Sequence, residues 1–219
     1  MSDEAPRRRK FKAGRGTGDK GKSSLYTNER RMKNDPVFQA LGACDELNSF
    51  LGICREFAGQ NTELSDVENL ISTLQCCLQD VGAHIATPQG TGSLRKQNLT
   101  QFEDWYPNFV DNKIDEFAEN LPPIKQFILP AGGILGSHLQ YARALARKAE
   151  RKMIDLHNEG SINDNSIKFM NRMSDLLFVL GRYASVKTKS TEKLYLKPTK
   201  MDDETNLLWK TRDFSKNET

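Results

Sequence analysis

Eight residues near the N-terminus have the composition of an anion-binding loop. Residues 16–23 read Gly-Thr-Gly-Asp-Lys-Gly-Lys-Ser, which fits the P-loop pattern G-x-x-x-x-G-K-[ST]. A true P-loop also needs a buried strand before the glycines and a helix start after them, so that backbone N–H groups point at phosphate. Residues 6–12 are mostly basic, and residues 24–35 show no apolar helical period. The sequence therefore predicts a phosphate-gripping glycine loop of another design, with a flexible basic tail as the alternative.

Charge is unevenly distributed along the 219-residue, 24.8-kDa chain. Residues 1–35 hold eleven Lys and Arg against five Asp and Glu, whereas the whole chain carries a formal charge of only +3. The remaining body is thus acidic, which argues against a nucleic-acid platform. No run approaches the roughly 18 apolar residues of a membrane span. We expect one soluble intracellular domain. Its Arg-rich N-terminus is compatible with the remnant of a transit peptide, although Asp3 and Glu4 fit poorly with one.

The cysteines and histidines do not form a recognisable metal or redox motif. No Cys-x-x-Cys pair is present, and three of the four cysteines lie in apolar helical runs, which predicts buried free thiols. No histidine has a glutamate three residues before it, which excludes the ferritin-like di-iron bundle. We expect no metal site made by the protein alone.

Apolar spacing predicts an all-α fold: an antiparallel bundle of four long helices with a fifth short helix. Prolines and glycines mark loops at 87–101 and 127–133. We expect a flexible basic N-terminus over 1–13, one bundle domain over 14–190 with its glycine loop at 14–35, and a charged, loosely ordered tail over 191–219 that Trp209 could pin in part. The predicted helices span 36–58, 64–85, 112–120, 134–158 and 164–186.

Polar side chains flank the apolar stripes of three predicted helices. On helix 134–158, Arg143, Arg147 and Glu150 fall within roughly 60° of one another at 100° per residue, with Arg151 beside them. Arginines at the edge of a core stripe need an anion or a carboxylate. An Arg147–Glu150 pair within the helix is the structural alternative, and the helical spacing places Lys148 on the solvated side.

The first and last helices repeat this feature. Asn171, Asp175, Phe178 and Arg182 form a line on an otherwise apolar helix, and Asp45 and Asn48 lie among leucines. Three helices with polar edges predict a site at a seam, either inside the bundle or between subunits.

Taken in order, these segments resemble the ATP:cob(I)alamin adenosyltransferases of the trimeric helical-bundle type. The resemblance runs collinearly from about residue 14 to residue 186 and departs from the family's usual letters at Gly16, Ala131 and Lys148. It rests on five motifs: Gly16-Thr17-Gly18-Asp19-Lys20-Gly21, Asp45-Glu46-Leu47-Asn48, Phe127-Ile128-Leu129-Pro130, Arg143 with Arg147-Lys148-Ala149-Glu150-Arg151, and Asn171-Arg172-Met173-Ser174-Asp175.

The resemblance implies a homotrimer with active sites between subunits, where an Asp45–Arg143 ion pair crosses the seam. Phe127 would lie under the corrin ring, and Phe178, Asn48 and Asp175 would also contact cobalamin. Arg143, Arg147, Glu150, Phe127 and Asp45 would be the catalytic set. The implied ATP-binding residues are Arg15, Gly16, Thr17, Gly18, Asp19, Lys20, Ser23, Ser24, Lys33, Arg147, Lys148, Glu150, Arg151 and Asn171.

The implied chemistry suits a site without a general base. Cob(I)alamin is itself a strong nucleophile, so the protein must align it with the ribose C5′ of ATP and stabilise the departing triphosphate, with Mg²⁺ on the phosphates. Implied partners are a cob(II)alamin reductase or flavoprotein donor and an adenosylcobalamin-dependent acceptor enzyme. The location would be the mitochondrial matrix in a eukaryote or the cytoplasm in a bacterium. The alternatives are a non-catalytic cobalamin or nucleotide carrier and a P-loop NTPase or kinase.

Overall fold

The computed structural model describes residues 16–196, and these residues form a bundle of helices with two small strand pairs at its ends. The predicted all-α class is confirmed, because the strands are only two or three residues long. In chain order the elements are β1 (Lys22–Ser24), β2 (Arg30–Met32), α1 (Pro36–Ala58), a 3₁₀ turn (Thr62–Leu64), α2 (Ser65–Ile85), α3 (Leu94–Leu99), α4 (Trp105–Ala118), β3 (Ile128–Leu129), α5 (Gly133–Asn158), α6 (Asp164–Lys187) and β4 (Lys193–Leu194).

The long helices begin and end where local sequence signals place them. The Asp35 carboxylate accepts a hydrogen bond from the Val37 N–H at 2.9 Å, and Pro36 occupies the first turn of α1. The side chain of Asn163 caps α6 by accepting from the Ser166 N–H. Packing follows the apolar stripes, with α5 against α6 and α1, α2 against α1, and α4 against α6.

Two helix predictions need correction. The segment 87–101, expected to be a loop, contains the six-residue helix α3, whose first turn is capped by the Ser93 hydroxyl. Its Leu94 and Leu99 are exposed, so the sequence of α3 shows no buried apolar stripe from which a helix could be predicted. Helix α4 begins at Trp105, seven residues before the predicted start at 112. Pro107 suggests a helix break in the sequence, but it lies in the first turn of α4, where a proline costs no helical hydrogen bond.

Residues 191–196, the described part of the segment expected to be a loose tail, are mostly exposed but include strand β4. Strand β4 pairs antiparallel with β3, with Ile128 opposite Leu194 and Leu129 opposite Lys193. The predicted turn 127–133 is therefore partly a strand. Arg15, the N-terminal segment 1–13 and Trp209 lie outside the described residues.

Three of the four thiols are buried, as predicted, and all four are free. Burial raises the pKa of Cys44 and of Cys54 to about 12, so these thiols stay protonated and act as small apolar groups. Cys76 is exposed, so not every cysteine is buried. Over residues 16–196 there is also no helix with the length and apolar character needed to cross a membrane.

Candidate active site

The glycine loop forms a turn that leads into a strand, not into a helix. Gly16 and Gly21 have left-handed backbones, with φ of +86° and +73°, and Ser23 already lies in β1. At Gly18 a Cβ atom would come within 2.9 Å of the Lys33 Nζ, so glycine allows this lysine to lie against the loop. No helix start stands behind the loop, which excludes P-loop geometry. The loop can still donate hydrogen bonds to an anion from the backbone N–H groups of its glycines, from two lysine side chains and from serine hydroxyls.

The β1–β2 hairpin is fixed to the end of α2. Leu25 is buried, the Tyr26 N–H donates to the Ala86 carbonyl at 3.1 Å, and Lys96 Nζ donates to the Tyr26 carbonyl at 2.6 Å. The exposed Arg30 of β2 donates to the Thr17 carbonyl of the loop at 2.8 Å. The hairpin therefore has a defined position beside the α1–α2 pair.

A groove of about 410 Å³ runs between α1 and α2 next to this hairpin. Tyr26, Asp45 and Asn48 form part of its wall, among small and aliphatic side chains. Asn48 is 8% exposed, and among the described residues its Oδ1 has no hydrogen-bond partner. A buried acceptor without a partner costs about 1–3 kcal/mol, so a donor from a ligand or another chain would stabilise this position.

The predicted polar edge of α5 continues across the seam onto α6. Glu150 is half-buried and accepts a hydrogen bond from the Asn171 amide at 3.0 Å, and Arg172 donates to the Asn171 Oδ1 at 3.2 Å. This pair of bonds fixes the orientation of the Asn171 side chain. Arg147 and Arg151 are exposed, and within residues 16–196 neither forms an ion pair. The expected alternative, an Arg147–Glu150 pair, is not formed.

Arg143 and Lys148 have partners that the helical projection did not supply. Arg143 is half-buried and donates from Nε to the Gln140 Oε1 at 3.2 Å, one turn earlier in the same helix. Lys148 is 46% exposed, as the spacing predicted, but its ammonium pairs with the Glu46 carboxylate of α1. The charge of Lys148 is thus directed toward α1.

The aromatic residues expected to contact a corrin ring lie on two separate elements. Phe127 is 71% exposed and precedes β3, whereas Phe178 is half-buried on α6. Asp175 is exposed one turn before Phe178. Tyr195, which sequence reasoning missed, lies edge-on to Phe127 with ring centroids 6.3 Å apart. Its single position in a charged tail gave no pattern to detect.

A second missed residue is Arg172, within the motif that begins at Asn171. It forms an ion pair with Asp111 of α4 at 3.2 Å in addition to its bond to Asn171. Arg172 therefore ties the polar seam to a third helix. The sequence signal that could have indicated Arg172 is its place beside Asn171 in the same motif.

Comparison with known proteins identifies the family. The family model described as cobalamin adenosyltransferase matches residues 14–184. The chain belongs to the cobalamin adenosyltransferase family. It is 42% identical over 181 residues to the corrinoid adenosyltransferase MMAB of Mus musculus, covering 83% of this chain and 76% of that protein. A corrinoid adenosyltransferase of Mycobacterium tuberculosis is 33% identical over 172 residues, covering 77% and 86%.

Solved structures agree with this assignment. A variant of the PduO-type ATP:corrinoid adenosyltransferase from Lactobacillus reuteri, complexed with cobalamin and ATP, superposes with a TM-score of 0.75 at 32% identity. The match covers 82% of this chain and 97% of that one. The helix bundle described above is therefore the fold of this family.

Within this family member, the predicted site residues fall into two groups on different helix pairs. Tyr26 of the hairpin turn, Asp45 and Asn48 line the α1–α2 groove. Glu150 and Asn171 are hydrogen-bonded at the α5–α6 seam, and Arg147 is exposed one turn before Glu150. In the described part of the chain, no ion pair joins Asp45 to Arg143. The Lys148–Glu46 ion pair connects the two helices α5 and α1 beside Arg147 and Asp45.

Proposed function

We propose that this chain transfers the 5′-deoxyadenosyl group of ATP to cob(I)alamin, giving adenosylcobalamin and triphosphate. The observation that carries the proposal is the polar α5–α6 seam in a chain of this family. There, Arg147 and Arg151 are exposed near the Glu150–Asn171 hydrogen bond, and neither has an ion-pair partner among residues 16–196. Guanidinium groups with open forks suit a polyphosphate, because each can donate two charge-assisted hydrogen bonds.

The hairpin and the seam would together bind ATP. Glycine backbones in the hairpin allow close approach of phosphate oxygens, and Lys33 lies against Gly18 to add charge. Mg²⁺ would arrive on the triphosphate and neutralise part of its charge. Among the described residues there is no group of three His, Cys, Asp or Glu side chains that could hold a metal ion. The proposed ATP-binding residues are Arg15, Gly16, Thr17, Gly18, Asp19, Lys20, Ser23, Ser24, Lys33, Arg147, Lys148, Glu150, Arg151 and Asn171.

The corrinoid would lie against Phe127, with Phe178, Asn48 and Asp175 as further contacts. In the reaction the cobalt electron pair attacks C5′, a Co–C bond forms, the C5′–O bond breaks, and triphosphate leaves. No proton is transferred at C5′, so the protein contributes alignment and stabilisation of the leaving anion. An exposed aromatic ring at the lower face would exclude an axial ligand and make cob(II)alamin easier to reduce.

The absence of an Asp45–Arg143 ion pair within the described residues of one chain supports a homotrimer in which each active site is completed by a neighbour. The proposed Asp45–Arg143 ion pair would then cross between subunits. Aromatic rings also remain partly exposed on the outer α1–α5 face. There the ring centroid of Phe50 lies 5.6 Å from that of His138 and 4.9 Å from that of Tyr141. We expect a sedimentation mass of about three times the 24.8 kDa of one chain. A monomer at working concentration would contradict the shared site.

The wider setting follows from the same reaction. A flavoprotein or other reductase would supply the electron for cob(II)alamin, and an adenosylcobalamin-dependent enzyme would take the product. We place the reaction in the mitochondrial matrix if the source is a eukaryote and in the cytoplasm if it is a bacterium.

The decisive experiment is anaerobic incubation with ATP, Mg²⁺ and chemically reduced cob(I)alamin, followed by chromatography of both product classes. We expect adenosylcobalamin together with intact triphosphate. ADP and phosphate without a corrinoid product would instead indicate an NTPase. Tight binding of either substrate without turnover would indicate a carrier.

A further inference from the structure

A buried arginine near the end of α6 connects two segments that flank the corrinoid residue Phe127. Arg182 is 7% exposed, and its Nε lies 2.8 Å from the Glu192 carboxylate. Its Nη2 also donates to the Pro122 carbonyl at 2.8 Å. The guanidinium therefore holds the segment before β3 and the segment before β4 against the same helix. An arginine this deeply buried requires both partners, because an unpaired buried charge is costly.

Backbone hydrogen bonds carry this connection from Glu192 to Phe127. Strand β4 follows directly after Glu192 and pairs with β3, which follows directly after Phe127. The Tyr195 N–H donates to the Phe127 carbonyl at 2.8 Å, and the two rings meet at 84°. Edge-to-face aromatic pairs of this kind are favourable, because the positive edge of one ring meets the negative face of the other. Tyr195 thus restrains both the backbone and the ring of Phe127.

Glycines on the other side of β3 permit an equally close approach. Gly132 and Gly133 have φ of +105° and +77°, and a Cβ on Gly133 would lie 2.5 Å from the Ser190 hydroxyl. The Ser185 hydroxyl donates to the Ser190 carbonyl at 2.8 Å. The segment after α6 therefore packs directly on the turn that follows β3, and the Phe127 loop is held from both ends.

We propose that Arg182, Glu192 and Tyr195 are positioning residues that hold Phe127 at the lower face of the corrin ring. This inference rests on the proposed function. Phe127 is 71% exposed, so α6 and the bundle core do little to fix its ring. Without the restraint, ordering one such side chain on binding would cost about 0.5–1.5 kcal/mol. The restraint makes that ordering part of folding, and it acts on cob(II)alamin reduction, which depends on the lower face.

The test compares two reactions of the same variant. One starts from chemically reduced cob(I)alamin, and the other starts from cob(II)alamin with a flavin reductant. Glu192→Ala and Tyr195→Ala should lower the ratio of the second rate to the first by about three- to tenfold. Tyr195→Phe keeps the ring and should restore the wild-type ratio. Glu116→Gln, which removes the Lys113–Glu116 pair on α4, is the matched control and should also keep it.

A purely structural role gives a different result, because general destabilisation lowers both rates together. An unchanged ratio in Glu192→Ala and Tyr195→Ala would therefore overturn the proposal. Hydrogen exchange of the peptide 124–133 supplies a readout without substrates. It should exchange faster in Glu192→Ala than in wild type or Glu116→Gln, and equal exchange would again overturn the restraint.

The two proposals fail in distinguishable ways. If wild-type protein makes no adenosylcobalamin from cob(I)alamin, the proposed function falls and takes the corrinoid role of the restraint with it. Hydrogen exchange would still show whether Glu192 fixes the Phe127 loop. If wild-type protein is active and the rate ratio does not respond, only the positioning role is lost.

Discussion

The two strand pairs of this molecule carry residues proposed for different substrates, and different forces hold them. The β1–β2 pair is closed by a five-residue turn, in which the Leu25 N–H donates to the Glu29 carbonyl at 2.9 Å, and most of its side chains are exposed. The β3–β4 pair joins strands separated by two long helices and depends on the buried guanidinium of Arg182. The β1–β2 pair joins neighbouring segments and leaves its side chains exposed. The β3–β4 pair joins segments far apart in sequence and is tied to the bundle by Arg182.

This difference matches what each substrate requires. A loop formed by neighbouring residues has little closure entropy to overcome, so it can leave its lysines and hydroxyls free for phosphate. A pair formed by distant segments needs strong tertiary contacts, which in turn fix the aromatic ring beside it. The proposed ATP region at β1–β2 therefore depends on charge and accessible donors. The proposed corrinoid region at β3–β4 depends on rigidity.

The largest effect should come from removing the anchor of the second pair. Arg182→Met breaks the ion pair and the bond to Pro122, and it should lower the free energy of unfolding by about 2–4 kcal/mol. Arg30→Met in the first pair removes an exposed guanidinium and should cost less than about 0.5 kcal/mol. Urea unfolding at one fixed protein concentration measures both. Equal losses would erase the contrast between the pairs.

Removing one phosphate contact should have the next largest effect. Arg147→Ala deletes charge-assisted hydrogen bonds of about 1.5–3 kcal/mol, so kcat/KM for ATP should fall about 10- to 150-fold. Arg95→Ala removes an exposed arginine of α3 and serves as the control. Steady-state kinetics with saturating cob(I)alamin measures the change. Near-normal turnover of Arg147→Ala would remove this residue from the site.

A smaller and more selective loss is expected at the corrinoid contact. Phe127→Ala should leave ATP binding unchanged and slow the reaction from cob(II)alamin by about tenfold or more, since the lower-face contact is lost. The reaction from cob(I)alamin should suffer less. Leu99→Ala, another exposed apolar residue, should change neither rate. Equal slowing of both reactions would contradict a lower-face role.

Acid should weaken the hydrogen bonds of His84, which join α2 to Thr100 and to Asn163, the N-cap residue of α6. His84 is buried, its Nε2 accepts from the Asn163 N–H, and its Nδ1–H therefore donates to the Thr100 carbonyl. Burial lowers the pKa of His84 below its ordinary 6.5, so the folded state favours the neutral ring. This stability is complete above pH 6.5 and declines as the pH falls through the lower folded-state pKa.

Urea midpoints between pH 8 and pH 5 check this prediction. The decline should persist in His138→Gln, which alters a half-buried histidine of α5 that makes none of these hydrogen bonds. A midpoint that does not change over this range would show that His84 contributes no pH-dependent stability.

The smallest effect is expected at the exposed bridge between α1 and α5. Lys148 and Glu46 are each 46% exposed, and such pairs contribute about 0–1 kcal/mol. Lys148 is among the proposed ATP-binding residues, but its ammonium is already paired with Glu46. Lys148→Met should therefore change kcat/KM for ATP by less than about threefold, far less than Arg147→Ala. A loss as large as that of Arg147→Ala would place the Lys148 ammonium on phosphate and show that ATP displaces Glu46.

Local signals explain how much of the fold could be predicted. The bounds of α1, α5 and α6 follow from apolar spacing and from caps such as Asp35 and Asn163, which act within one turn. Strand β4 could not be predicted, because Lys193 and Leu194 gain their structure only from a partner strand far away in sequence. The start of α4 was missed because Pro107 suggests a break although it lies in the first turn.

The candidate site was predicted in composition more than in contacts. Helical spacing placed Arg147 and Glu150 on the polar edge of one helix and Asn171 on that of another, and the structure joins Glu150 to Asn171 by a hydrogen bond. Spacing within one helix could not reveal that Lys148 reaches Glu46 on another helix. The ATP and cobalamin roles of these residues remain predictions for the kinetic experiments above.

The β3–β4 ladder also has a consequence for the order of folding. Its strands lie on either side of α5 and α6, so the ladder can form only after these helices have folded back on each other. Contacts between distant segments form late, because their loop-closure entropy must be met first. During synthesis the chain would therefore dock its helices before it sets the Phe127 ring. Competence to receive the corrinoid would then be among the last properties a newly made molecule acquires.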